Sequence, residues 1–211
     1  MPEATDLVFK PNNVLNTKIF DGRDGKLLYE VTTETGKPKP TTIVKGADGQ
    51  VVASWEGRDL RSHKLRFGSS GSPISARAWL KKSRNPFSSN VTFDDPSGRT
   101  FKWRGFAAGF SLALYCDSIE KDKCIARFHK SNPVPNEDGS KSSKMTHAKL
   151  VLDETGKDVQ HMVIASFLML ERDRRGNEQG NETGYRDGVL GRPDTAAGAM
   201  LLSGAMSGPG L

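Results

Sequence analysis

Four histidines, His63, His129, His147 and His161, could ligate a metal or move a proton near neutral pH. Their spacing argues for neither. No two lie within ten residues of one another, and neither H-E-x-x-H nor Cys-x-x-Cys occurs. Gly68-Ser-Ser-Gly71 is not the G-x-S-x-G of a nucleophile elbow, and both phosphate-loop patterns, G-x-x-x-x-G-K-[ST] and G-x-G-x-x-G, are missing. Glu171, Asp173 and Glu178 face no second acidic group and read as solvated or paired with Arg172, Arg174 and Arg175. The expectation is a non-enzymatic protein with no catalytic residue, no metal and no cofactor.

One pattern does point to binding. Between Arg58 and Arg104 there are eleven Lys or Arg against three acids, while the rest of the chain carries 20 basic and 22 acidic residues. The net charge of +6 is therefore concentrated in one stretch, and a local basic field selects anionic partners. Within it, Lys64, Arg66, Arg77, Lys81, Lys102 and Arg104 alternate with Leu65, Phe67, Ala76, Ala78, Leu80, Phe101 and Trp103. In strands, that alternation puts the cations on the outer face and the apolar residues inside. The turn Gly68–Pro73 should make the cations of 63–67 and 74–81 neighbours, where like charges repel and a bound anion would relieve them.

The elements that must hold these residues are strands. Period-two alternation runs from Lys26 to Leu152, interrupted by Asp21–Gly25, Gly46–Gly49, Gly68–Gly71, Asp95–Gly98 and Asp153–Gly156, all rich in turn residues. About ten short antiparallel strands with no βαβ spacing indicate a sandwich or a barrel. Thr155–Arg175 breaks the pattern and predicts a helix, with Thr155 and Asp158 as a capping box and Gly176 as its stop. From Val159 to Leu170 that helix is apolar nearly all round. A surface helix would show a polar face, so the sheet is expected to close around this one as a barrel.

Residues 130–144 read as a long loop and 176–211 as a disordered, Gly-rich tail, leaving one domain over 10–175. A hairpin centred on Glu120 would place Cys116 and Cys124 opposite each other on the inward face. That geometry permits a bridge, while a reducing compartment favours two buried thiols. The N-terminus lacks an apolar leader, and the richest apolar stretch, Met162–Leu170, falls short of the ~20 residues needed to span a bilayer. An intracellular protein is expected, cytoplasmic or peripheral to a membrane, with no transmembrane segment.

Phe101-Lys-Trp-Arg-Gly105, Ile125-Ala-Arg-Phe128 and His161-Met-Val-Ile-Ala-Ser-Phe-Leu-Met-Leu-Glu-Arg-Asp-Arg-Arg175 carry a resemblance. Over roughly 10–175 the chain resembles an uncharacterised fungal family with tubby C-terminal-like domains, in the superfamily of tubby, phospholipid scramblases and LURP-one-related proteins. The resemblance implies an antiparallel β-barrel wrapped around a buried C-terminal hydrophobic helix, and headgroup binding by outward Lys and Arg. It departs from tubby in the 36 residues that follow the helix. The expected function is a binding module that docks Lys64, Arg66, Arg77, Lys81, Lys102 and Arg104 on anionic phospholipid or phosphoinositide headgroups. Nucleic acid ranks behind lipid as the partner. The alternatives are a structural or protein-interaction domain without a small ligand, its protein partners unknown, and a scramblase-like membrane-active protein.

Overall fold

The computed structural model describes residues 4–36, 39–57, 63–83, 88–107, 109–118, 123–135 and 141–183. The chain opens as a meander of β1 (Thr5–Lys10), β2 (Thr17–Asp21), β3 (Leu27–Glu34), β4 (Thr41–Gly46), β5 (Val51–Glu56), β6 (Lys64–Phe67) and β7 (Ile74–Ser75), each antiparallel to the last. A short helix, α1 (Ala76–Trp79), leads to β8 (Lys81–Lys82), β9 (Val91–Asp94), β10 (Thr100–Arg104), β11 (Ala113–Cys116) and β12 (Cys124–His129), again paired in sequence. β13 (Pro133–Pro135) and β14 (Lys141–Met145) form a small sheet of their own. β15 (Lys149–Leu152) then inserts between β1 and β12, before α2 (Glu154–Asp158) and α3 (Gln160–Thr183).

Alternation delivers the inner face as expected. Tyr29, Val31, Val44, Ala53, Trp55 and Leu65 are buried, and the turns at Asp21–Gly25, Gly46–Gly49 and Asp95–Gly98 each close with a backbone hydrogen bond. β1 begins at Thr5, ahead of the expected domain start at residue 10. Its Leu7 and Phe9 are core residues, and it pairs with β2 on one side and β15 on the other.

The sheet has thirteen strands but is not a closed barrel. It starts at β7 and ends at β8, two-residue strands that do not pair with each other. The continuous strand expected over Ile74–Lys81 is not formed, because α1 occupies its middle. Ser75 caps α1 by accepting from Ala78 N at 3.4 Å, and Ala76 and Leu80, spaced i and i+4, are buried. Ala is the strongest helix former and nothing from Ala76 to Leu80 is β-branched, so local propensity favours the turn of helix over a ladder. Trp79 of α1 then spans the opening. Its ring packs on Phe67 from one end of the sheet and Phe93 from the other, with centroids 5.1 and 5.0 Å away, and Phe93 stacks on Phe101.

α3 is the centre of the core. Every residue from Val163 to Glu171 is buried, and the Phe167 ring meets Phe9, Phe128 and Trp103 from three different strands. The Trp103 indole donates to Ser166 Oγ at 3.0 Å. Trp55 is also buried, with no acceptor for its indole N–H among the described residues. An orphan donor costs about 1–3 kcal/mol, less than the ~4–6 kcal/mol gained by burying ~150–250 Å² of aromatic surface at ~25 cal/mol per Å².

Both helix boundaries differ from expectation. The N-cap is Asp153, whose carboxylate accepts from Gly156 N at 2.9 Å, so no capping box forms at Thr155. Gly156 lets α2 lie against the sheet, since a Cβ there would sit 2.6 Å from the Ile125 carbonyl oxygen. At the other end α3 runs through Gly176 to Thr183. A mid-helix glycine costs about 1 kcal/mol, which the Arg174–Glu178 ion pair across it helps to offset. Residues 184–211 of the expected tail lie outside the described residues, as do 136–140 of the expected 130–144 loop. What is described of that loop is the β13–β14 hairpin. A register shift between Leu114 and Tyr115 sets Cys124 opposite Tyr115, not Cys116, and both thiols are free.

Two consequences can be measured. Phe167→Ala should destabilise the protein by about 3–5 kcal/mol in denaturant unfolding, and the amides of 163–171 should be the slowest to exchange. Asp95 gives the acid response. Burial alone would push its carboxyl up, but the Ser97 hydroxyl, the Arg99 guanidinium and the Arg99 N–H hold it down at about 2. With the folded value depressed, its stabilisation is complete above about pH 4 and is lost as the pH falls through about 2. Asp95→Asn should flatten thermal stability over that window and leave the slope above it unchanged.

Candidate functional site

The six cations expected on one outer face occupy four elements. Lys64 and Arg66 are on β6, Arg77 on α1, Lys81 on β8, and Lys102 and Arg104 on β10. Because α1 carries the chain across the opening of the sheet, these elements follow one another around the molecule. Arg77 therefore belongs to a helical turn and not to a strand face. Arg58, Arg61 and Arg84 lie outside the described residues.

Their partners separate them into two groups. Lys81 Nζ donates to Asp94 at 2.7 Å, and this bond leads the interactions that hold the Asp94 carboxyl below its ordinary range. Lys102 Nζ donates to Asp117 at 2.8 Å. The Arg104 guanidinium lies 4.2 Å from the centre of the Tyr115 ring. Register aligns Lys81, Thr92, Lys102 and Tyr115 in one row across β8–β11, so charged, hydroxyl and aromatic groups alternate there.

Lys64 and Arg66 differ. Both are exposed, and among the described residues neither they nor Arg77 make an ion pair. The expected clash of cations across the 68–73 turn is avoided, because Lys64 pairs with Ser75. On the other side Lys64 lies opposite Glu56 and Arg66 opposite Ser54. The two cations line an outer depression of about 320 Å³ with Thr41, Ile43, Ser54 and Glu56. With Ser69 also in its lining, it presents two cations and three hydroxyls beside one carboxylate. That set suits an anion with several oxygen acceptors, which a cation and a hydroxyl can share.

Alternation made Lys64 and Arg66 legible but not their company. Thr41, Ser54 and Glu56 lie on strands whose register places them beside β6, and no local motif marks them. The acids that neutralise Lys81 and Lys102 were hidden for the same reason. Asp94 and Asp117 sit 13 and 15 residues away in sequence.

Elsewhere, the titratable groups serve the fold. Among the described residues no three His, Cys, Asp or Glu gather as metal ligands. His63 is buried, with Nδ1 3.0 Å from the Glu56 carbonyl oxygen. Burial raises the Tyr29 phenol to about 12, partly countered by its bond with Gln160. Glu171 is fully buried rather than solvated, accepting two bonds from Arg174 at 2.7 Å and one from Arg175 at 2.8 Å. No helix among the described residues is long and apolar enough to cross a membrane.

Comparison with known proteins adds the chain's relatives. A protein from Arabidopsis thaliana solved by X-ray crystallography is 14% identical, over 78% of this chain and 90% of that one, with a TM-score of 0.44. No curated protein matches. Residues 12–176 match the family described as "Family of unknown function (DUF6593)", and the chain belongs to that family.

Proposed function

We propose that this protein is a non-enzymatic binding module that docks its basic outer face on anionic phospholipid, phosphoinositide headgroups included. One observation carries the reading. Lys64 and Arg66 line a depression with hydroxyls and Glu56, and neither makes an ion pair among the described residues, whereas Lys81 and Lys102 are held by Asp94 and Asp117. The working part of the site is then Lys64, Arg66 and Arg77, with Lys81, Lys102 and Arg104 as a flank already satisfied within the protein. The tubby-like resemblance of the sequence points the same way, toward Lys and Arg on the outside of the sheet.

Each cation near an anionic bilayer is worth about 1 kcal/mol, so three engaged together favour binding by about a hundred-fold. Flotation with phosphatidylserine-containing vesicles should show binding that pure phosphatidylcholine does not. It should fade as near-molar salt shortens the Debye length to ~3 Å. Lys64→Gln with Arg66→Gln should weaken partitioning about thirty-fold, two cations' worth, at an unchanged melting temperature. Lys81→Gln with Lys102→Gln removes the same formal charge and should weaken it much less. Equal loss in both pairs would reduce the effect to net charge. No vesicle binding by the parent protein would leave the protein-interaction reading in its place.

A further inference from the structure

Two serines stand at the tip of the turn that joins β6 to β7. The glycines of Gly68-Ser-Ser-Gly71 close that turn. Gly68 is at φ +70°, and a Cβ at Gly71 would fall 2.1 Å from the Phe67 carbonyl oxygen. Ser69 and Ser70 are both exposed there. They differ in what they face. Ser69 lines the depression that holds Lys64 and Arg66, and Ser70 is not part of its lining.

The sequence around Ser69 has a second property. Arg66 stands three residues before it and Lys64 five, and no other serine of the chain has an arginine at that spacing. Protein kinases with acidic substrate clefts choose a hydroxyl by such a charge pattern. The cleft must also admit the backbone that carries the pattern. β6 pairs with β7 only at Lys64 and Leu65. From Arg66 to Ser70, therefore, the side away from β5 meets no strand among the described residues. The arginine, the hydroxyl and the backbone between them are all open to an enzyme.

We propose that Ser69 is a phosphorylation site and that its phosphate closes the basic depression to lipid. This rests on the lipid-docking reading and adds the regulation of that site. The donor is the γ-phosphoryl group of a magnesium-bound nucleoside triphosphate held by the kinase. Ser69 Oγ forms the new bond to phosphorus, the bond from that phosphorus to the departing nucleoside diphosphate breaks, and the hydroxyl proton passes to the carboxylate base of the kinase. The product brings up to about two negative charges and three acceptor oxygens into the depression. Arg66 offers such a group two parallel N–H bonds, and Lys64 offers it a point charge. Before modification the depression holds Lys64 and Arg66 against Glu56, one cation in excess. Afterwards its charge is about −1. The sign reverses, so an anionic headgroup meets repulsion where it met attraction.

The test uses the full chain with phosphoserine installed at a single position. In flotation with phosphatidylserine-containing vesicles, Ser69→phosphoserine should bind at least as poorly as Lys64→Gln with Arg66→Gln, about thirty-fold below the parent. Ser70→phosphoserine carries the same charge outside the depression and should lose much less. Without vesicles, phosphorus NMR should show the phosphate at position 69 titrating about half a unit or more below the one at position 70. The charged groups that face it are Lys64 and Arg66 on β6 and Glu56 on β5, and Lys64→Gln with Arg66→Gln should abolish the difference. A kinase that requires arginine three residues before its serine, given magnesium ATP and the folded parent, should add one phosphate that Ser69→Ala does not accept. Equal titration of the two phosphoserines, or equal vesicle binding by them, would overturn the proposal and leave lipid docking standing. Phosphate placed on Thr195, which follows Arg192 at the same spacing, and not on Ser69 would overturn the modification site. A parent that binds no vesicle would overturn docking and its regulation together, even where the two phosphoserines titrate apart.

Discussion

α3 turns no side toward water over the nine residues from Val163 to Glu171, and the rest of the architecture answers that constraint. A helix of this kind buries its surface only if protein surrounds it. Phe167 alone meets rings from β1, β10 and β12. A sheet long enough to do this brings its two ends near each other. Closing the ladder would need strands there, and the chain supplies α1 instead. The opening is spanned by side chains, Phe67 to Trp79 to Phe93 to Phe101. The edges left over are two residues long, and β8 is a pair of exposed lysines, a composition that discourages strand addition from another molecule.

The same constraint explains the buried charge cluster on α3. α3 must leave the core somewhere, and Glu171, Arg174 and Arg175 mark the crossing. Burying an unpaired carboxylate costs several kcal/mol, and two fork-shaped guanidinium groups with matched geometry cancel most of it. The cluster also reaches outward. Arg175 holds the Asn12 loop, and Arg174 shares Glu178 with the Gly109 N–H and Lys130. One helix end thereby fixes three loops in relation to one another.

Period and turn chemistry carried most of the fold into view, because a half-buried strand writes its face into every second residue. What stayed hidden was set by register and by competition between local preferences. Ile74–Lys81 alternates like a strand, but Ala76 and Leu80 also stand at helical spacing, and without β-branching the helix wins. Cys116 and Cys124 are symmetric about Glu120, yet one extra residue at Leu114/Tyr115 moves the pairing. Gly176 has the chemistry of a helix stop, overruled by an ion pair to a residue two positions beyond it. The cations of the candidate site were legible as outward-facing. Their division into held and unheld was not, since Asp94 and Asp117 become neighbours only through strand pairing.

Charge on such a molecule is better described by direction than by sum. Tight turns favour Asp, because its carboxylate bonds the backbone two residues on, as Asp21, Asp24, Asp48 and Asp95 all do. Turn chemistry therefore loads one end of the sheet with acids as a by-product of making hairpins, and Lys26 and Arg99 are held there in surface pairs. The other end is built of longer connections, where Lys10, Lys82 and Arg104 rest on rings. By register Glu34 and Glu56 also stand at that end, so a chain with a formal charge of +6 interleaves acids with its cations there. Long-range attraction follows where these charges stand and not their total.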